Sequence, residues 1–348
     1  MRNEGISIAK GLAIVLMVLG HARWPDFLNH YFGLMRMPLF FFFSGYCFKE
    51  NYLEAPYKYL KKRITGIYMP YIKWALLFLL LHNIFYNINI YNDTYGFNGI
   101  VSYEYNIHDY LKHIIKIIFA LRGHESLLGG YWFLHSLFFG SIIFYVTMQY
   151  IKNDRNRFLF LLLITIILSL LNISLPFWNI NSRTFFAACF IMVGHLYRKK
   201  NFNIEYNNYF VYSGLIFILI GTILWPTSML SYKWRQIIPY GITAITGTLI
   251  IFRLSKAISV RTEGLKIKTE LVYIGNHTFD ILTLHFLCFK LVSLLIINIY
   301  QLPIQRLAEF PVIEEYAHKG WWIVYGIVGC ILPIIYSHLI DKLKNEKK

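Results

Sequence analysis

Histidine is the side chain best suited to taking a proton from a hydroxyl near neutral pH. This sequence holds one, His21, at the end of an apolar run that also contains Lys10. On a helix that spacing is three turns plus about 20°, so both residues share one face about 16 Å apart. They can line one path but cannot touch. His21 therefore reads as a general base for a hydroxyl attacking an acyl carbonyl, and Lys10 as a point charge for an anion such as phosphate. The plainer reading is a helix-end histidine wetted by headgroups and a snorkelling lysine. The next run, Arg36-Met37-Pro38-Leu39-Phe40-Phe41-Phe42-Phe43-Ser44-Gly45-Tyr46, adds a cation in an apolar setting. Arg36 suits an oxyanion or a buried acid. Pro38 frees a backbone carbonyl, and Ser44-Gly45 admits a neighbouring helix. Further along, His285 lies near Asp280, Thr283 and Lys290, either as a second pocket residue or as a histidine bonded to an adjacent helix. Tyr131 and Trp132 could stack on a sugar ring, or sit at a membrane interface. His135 reads as structural. Cys47, Cys189, Cys288 and Cys330 stand apart in apolar stretches, without metal-ligand spacing. They read as small buried hydrophobes.

What must position these groups follows from composition. The chain has 348 residues, 57% hydrophobic and only 15% charged. Soluble domains carry about a quarter charged residues, and disorder needs low hydrophobicity, so both are excluded. Only helices satisfy their own backbone in lipid, and a crossing takes about 20 apolar residues. The expectation is an all-α polytopic membrane protein, a single domain over 1–348 with no separate soluble part. About ten spans are expected, at Ile6–Ala22, Tyr31–Phe48, Gly66–Ile90, Tyr131–Ile151, Arg157–Ser174, Thr184–Tyr197, Asn208–Pro226, Gln236–Leu254, Thr278–Tyr300 and Trp321–Ile340. Trp and Tyr mark many of their ends, and the first run lacks a signal-peptide cleavage site.

The net charge of +16 is explained by topology. With the N-terminus inside, 21 of the 34 Lys and Arg fall on one set of segments and 9 on the other. That alternation puts both termini in the cytoplasm and leaves no nucleic-acid footprint. The longest loop, between the third and fourth spans, contains Asp109–Leu121, whose apolar spacing predicts an interfacial helix on the outer leaflet. No fixed-period repeat is present.

The opening GLAIVLMVLGH followed by RMPLFFFFSGY closely resembles the membrane-bound acyltransferase-3 family of bacterial envelope-polysaccharide O-acyltransferases, including fucose O-acetylase-like proteins. Weaker patches are similar as well: Arg63 with Met69-Pro70-Tyr71, Tyr131-Trp132-Phe133-Leu134, and Tyr273-Ile274-Gly275-Asn276 with His285. The resemblance implies a ten-span enzyme of the bacterial inner membrane. It would move an acyl group, usually acetyl, from cytoplasmic acyl-CoA to an envelope glycan or lipid-linked saccharide. Acyl-CoA would be a co-substrate, with no tightly bound cofactor and no metal. The family's catalytic histidine matches His21, and its first-span basic residue, commonly Arg, matches Lys10. Arg63 matches the cation that helps hold the donor. Two departures stand out: Ser7 replaces a common Asp and leaves Glu4 as the nearest acid, and Arg36 replaces a common His. Unlike fused members, no hydrolase-like domain is expected after the tenth span. A transporter or exporter of an anionic or glycan substrate is the alternative from another class. Against it, the sequence has no inverted repeat and no paired broken helices.

Overall fold

The computed structural model describes residues 3–95 and 101–346, and it is helical apart from one two-stranded sheet, Ser174–Leu175 with Ile180–Asn181. Helix α1 (Glu4–His21) begins where the Asn3 side chain accepts the Ile6 N–H, an N-cap that satisfies one orphan donor. The expected second span is broken. It divides into α2 (Asp26–Gly33) and α3 (Pro38–Tyr46), joined by a turn at 34–37. Pro38 stands at the start of α3, where its missing N–H costs nothing, so it opens a helix and does not kink one. The helices over the expected third span start earlier than its apolar run. They run from α4 (Pro56–Arg63) through a π-turn at Ile64–Tyr68 into α5 (Met69–Leu80), and a short α6 (His82–Asn87) follows.

Helix α7 (Ile107–Ala120) opens on a reciprocal capping box between Asn106 and Asp109. It leaves Ile107, Leu111, Ile115 and Phe119 exposed on one face, as an interfacial helix requires. The chain then forms α8 (Trp132–Tyr150), α9 (Asp154–Leu170), α10 (Ser182–Lys199), α11 (Asn208–Leu224) and α12 (Ile237–Arg261). A helix not expected from the sequence, α13 (Lys266–Asn276), precedes α14 (Thr278–Tyr300), the single turn α15 (Glu314–Tyr316) and α16 (Trp322–Asn345).

Among the described residues, five segments are long and apolar enough to cross a membrane: Glu4–His21, Ser126–Tyr150, Trp234–Arg261, Thr278–Tyr300 and Glu314–Asn345. The other expected crossings fall on shorter or interrupted helices. On α16, Ile323, Ile327, Ile331, Ile335 and Leu339 are all exposed along one stripe. An apolar row of that length belongs against lipid, not water.

Two glycine-mediated crossings set the centre. A Cβ on Gly275 of α13 would lie 1.7 Å from the Ser7 carbonyl oxygen, and one on Gly11 would lie 2.8 Å from that of Leu271. Helices α1 and α13 therefore touch backbone to backbone. The Ser7 hydroxyl donates to Asn276 Oδ1 at 3.0 Å across the same contact. The second crossing joins α3 to α10. There, Gly45 meets the Ile191 carbonyl, and Gly194 meets that of Phe42.

Candidate active site

Helix α1 carries chemistry at both ends. At its C-terminal end the Ala22 N–H closes the last turn on Val18, and Arg23 adopts a positive φ of 62°. That backbone state is uncommon for arginine, and it follows directly on the end of α1 at His21. Arg23 reaches Glu314 at 3.5 Å. Helix α14 brings His285 beside His21, with ring centroids 5.5 Å apart and planes tilted by 30°. The edge of Phe286 packs on His21 at 4.8 Å and closes that side.

The tautomer of His285 follows from its partner. Its Nδ1 lies 2.9 Å from the Ile281 carbonyl oxygen, which can only accept, so Nδ1 carries the proton and donates. In the neutral ring Nε2 is then a bare acceptor. It is buried and has no hydrogen-bond partner. A buried acceptor left unpaired is costly in a purely structural residue.

Arg36 reaches back from the turn between α2 and α3 to the last turn of α1. Its Nη1 donates to the Leu16 carbonyl at 3.3 Å and to Asn29 Oδ1 at 3.1 Å. The guanidinium lies directly on Gly20, where a Cβ would fall 1.8 Å from Nη1. Among the described residues it makes no ion pair, so the buried-acid role is not what holds it. The result is a fixed positive charge, its Nη1 resting against the residue before His21.

At the other end, a cavity of about 460 Å³ is lined by Lys10, Ser44, Lys62 and Arg63 at its polar part and by Phe40 and Phe133 among its apolar walls. Ser44 Oγ and Arg63 Nε are buried without a hydrogen-bond partner. The Arg63 guanidinium stands 4.8 Å over the Tyr59 ring, which orients it without neutralising it. Ile14 of α1 and Leu282 of α14 also line this cavity. His21 and His285 lie further along those helices, two turns and one turn away respectively. The cavity thus points along the seam on which the histidine pair stands.

A family model described as an acyltransferase domain matches residues 3–340. The chain belongs to the acyltransferase-3 family. Neither curated proteins nor solved structures gave a match. An apolar helical chain of this family is a membrane acyltransferase.

In this acyltransferase-3 protein the expected site residues divide into two groups and two outliers. Lys10, Ser44 and Arg63 share the 460 Å³ cavity, and His21, Arg36 and His285 share the far end of α1. Tyr131 joins neither group. Its side chain is fully buried, with its hydroxyl bonded to Thr283 Oγ1 at 3.0 Å and its ring 5.0 Å from that of Tyr71. No face of it is open to a sugar. Trp132 is also apart, beneath the Arg183 guanidinium at 5.4 Å.

Glu4, the nearest acid to the missing Asp, is taken by Lys268 at 2.8 Å. Lys290 is anchored by the carbonyls of Leu307 and Glu309, each at 2.8 Å, and so pins the segment after α14. Sequence reasoning missed the clamp of α13 on α1 and the role of Asn29. The Gly11 and Gly275 pair was the available signal for the first, and nothing in local spacing pointed to the second.

Proposed function

We propose that this protein is an O-acyltransferase of the bacterial inner membrane that moves an acyl group, most simply acetyl, from cytoplasmic acyl-CoA to a hydroxyl of a cell-envelope saccharide. The observation that carries the reading is the arrangement along α1, with a cation-lined cavity at one end and His21, His285 and Arg36 at the other. Lys10 and Arg63 hold the donor's phosphates, and the apolar walls take its acyl arm toward the histidines. His21 takes the proton from the acceptor hydroxyl as its oxygen attacks the thioester carbonyl. Arg36 stabilises the oxyanion. The carbon–sulfur bond then breaks, the thiolate of CoA leaves and recovers the proton, and the ester stays on the sugar. His285 positions the His21 ring.

The reading includes ten crossings with both termini cytoplasmic, which puts Lys10 and Arg63 on the donor's side and His21 on the acceptor's side. Reporter fusions after Lys200 and Lys268 are expected to report cytoplasm, and those after Asn92 and Lys233 the outside. Either pair reversed overturns the sidedness. The activity test is label transfer from radiolabelled acetyl-CoA to envelope saccharide in membranes containing the wild-type protein or His21→Ala. Equal incorporation in both removes His21 from the mechanism.

A further inference from the structure

A second cavity, of about 820 Å³, lies away from the donor cavity. It is formed by the hairpin segment 172–183 and by the segment 229–236 before α12. Its size is within the range of small-ligand sites. Contacts tie it to the His21 end of α1. Tyr232, in its wall, is stacked on Tyr240 at 6.4 Å, and Phe186 packs on both rings at 5.2 and 5.9 Å. Tyr240 in turn lies close enough to Arg36 to feel its charge, and its hydroxyl is buried without a partner. The path from the cavity runs through Tyr232 and Tyr240 to the guanidinium on Gly20.

The lining combines amide and hydroxyl groups with an exposed indole, Trp234, and three cations: Arg183, Lys233 and Arg235. The Arg235 guanidinium stands 5.1 Å over one side of that indole, and amides beside the exposed ring suit sugar hydroxyls and a sugar's apolar face. The charges say more. No Asp or Glu lines the cavity, and none of the three cations forms an ion pair among the described residues. Arg183 Nε is also buried without a hydrogen-bond partner. Positive charge is scarce on the outward segments, which hold 9 of the 34 Lys and Arg, so three converging there without an acid is not a topology effect. A neutral glycan would leave these three cations without a counter-charge, whereas an anionic one supplies it.

We propose that this vestibule binds the acceptor and that the acceptor is an anionic saccharide, carrying a carboxylate or a phosphate. The proposal rests on the acyltransferase reading for the word acceptor, and the binding itself stands independently. Lys233 and Arg235 meet the anion at the rim, Arg183 meets it deeper, and Trp234 lies against a ring.

The test uses the purified full chain in neutral detergent. Binding of maltotetraose, tetragalacturonate and glucose 1-phosphate is measured by calorimetry at low and high salt, with and without phosphatidylglycerol. At low salt, at least one anionic sugar is expected to bind tenfold or more tighter than maltotetraose, and the one preferred tells carboxylate from phosphate. High salt should erase the preference. Lys233→Gln/Arg235→Gln should erase it too. Both residues are exposed on a single turn, so folding is not at risk, and an unchanged melting curve checks this. Arg183→Gln is the second, deeper variant. Equal binding of all three sugars, no binding of either anion, or a preference that survives the double substitution overturns the proposal. So does a preference abolished by phosphatidylglycerol, which would assign the cations to lipid headgroups. Acetyl-CoA binding and label transfer on the same preparation keep the two readings apart. Transfer without anion preference sinks only this proposal, and anion preference without transfer to any saccharide sinks only the acyltransferase mechanism.

Discussion

The two cavities of this protein are built on opposite principles. The first sets a few cations, Lys10, Lys62 and Arg63, against aromatic and aliphatic walls, whereas the vestibule has more polar than apolar lining, with amides, hydroxyls and cations beside Leu168, Ile173, Met229 and Leu230. An amphipathic thioester has both a charged end and an apolar arm, so it needs the first kind. A hydrated sugar needs the second. On the proposed reading, the difference teaches that the two substrates would be told apart by wall chemistry as well as by loop charge. Helix α1 and the Arg36 turn stand between the two and belong fully to neither.

Substitutions break this contrast in a graded way. The largest effect is expected at the point between the cavities. His21→Ala should lower acyl transfer by about 10²–10⁴ with acetyl-CoA binding retained, measured as label transfer and as calorimetric donor affinity. Loss of donor binding in that variant would place His21 in the donor cavity and collapse the distinction. Next is Gly20→Val. Its side chain would take the place of the Arg36 guanidinium, so turnover should drop about as far as in Arg36→Gln, roughly 10²–10³ for a lost oxyanion donor. The double variant should be no worse than either single one, because both remove the same contact. Additive losses would separate Gly20 from Arg36.

Lys10→Ala and Arg63→Ala should act on the donor alone, raising its KM by about one to two decades while acceptor KM stays constant. A matching rise in acceptor KM would merge the two sites. The smallest effect concerns pH. His124 sits in the segment before α8, and burial, with His135 and Arg122 nearby, pushes it down to about 4. Its Nδ1 and the Tyr71 hydroxyl are hydrogen-bonded at 2.8 Å. A folded value below the ordinary one near 6.5 favours the neutral ring, so this stability is complete above about pH 6.5 and is lost as pH falls toward 4. Melting temperature should fall over that window in the wild type and less in His124→Gln.

Much of this was legible from particular residues. Thr278–Tyr300 coincides with a helix because a long apolar run with an aromatic end has few other solutions in lipid, and α8, α11 and α16 match their runs to within a few residues at most ends. His21 stood out by type and position. Other features were hidden for physical reasons. Arg36 and Pro38 interrupt the second run, but the apolar residues on both sides of the turn at 34–37 made α2 and α3 read as one crossing. Helix α13 carries Lys266, Lys268 and Glu270 and looks like a charged loop, and its glycine contact with α1 joins residues over 250 positions apart. An aromatic at a helix start, such as Tyr131, has the same pattern whether it is buried or in a belt. The vestibule draws on segments some fifty residues apart, and a one-dimensional count assigned its cations to topology.

The crossing of α3 and α10 has a consequence for supply. Gly45 and Gly194 bring the two backbones into contact, and the aromatic run Phe41–Phe43 is fully buried around that seam. A close-packed seam of this kind gives no sideways opening through which a molecule dissolved in the bilayer could slip toward Ser44. On the proposed reading, the donor would enter that cavity past Lys62 and Arg63, which line it away from this seam. The enzyme would then sample the water-dissolved pool of short acyl thioesters and ignore long-chain ones partitioned into lipid, so turnover would follow the metabolic state of the cytoplasm and not the composition of the membrane around it.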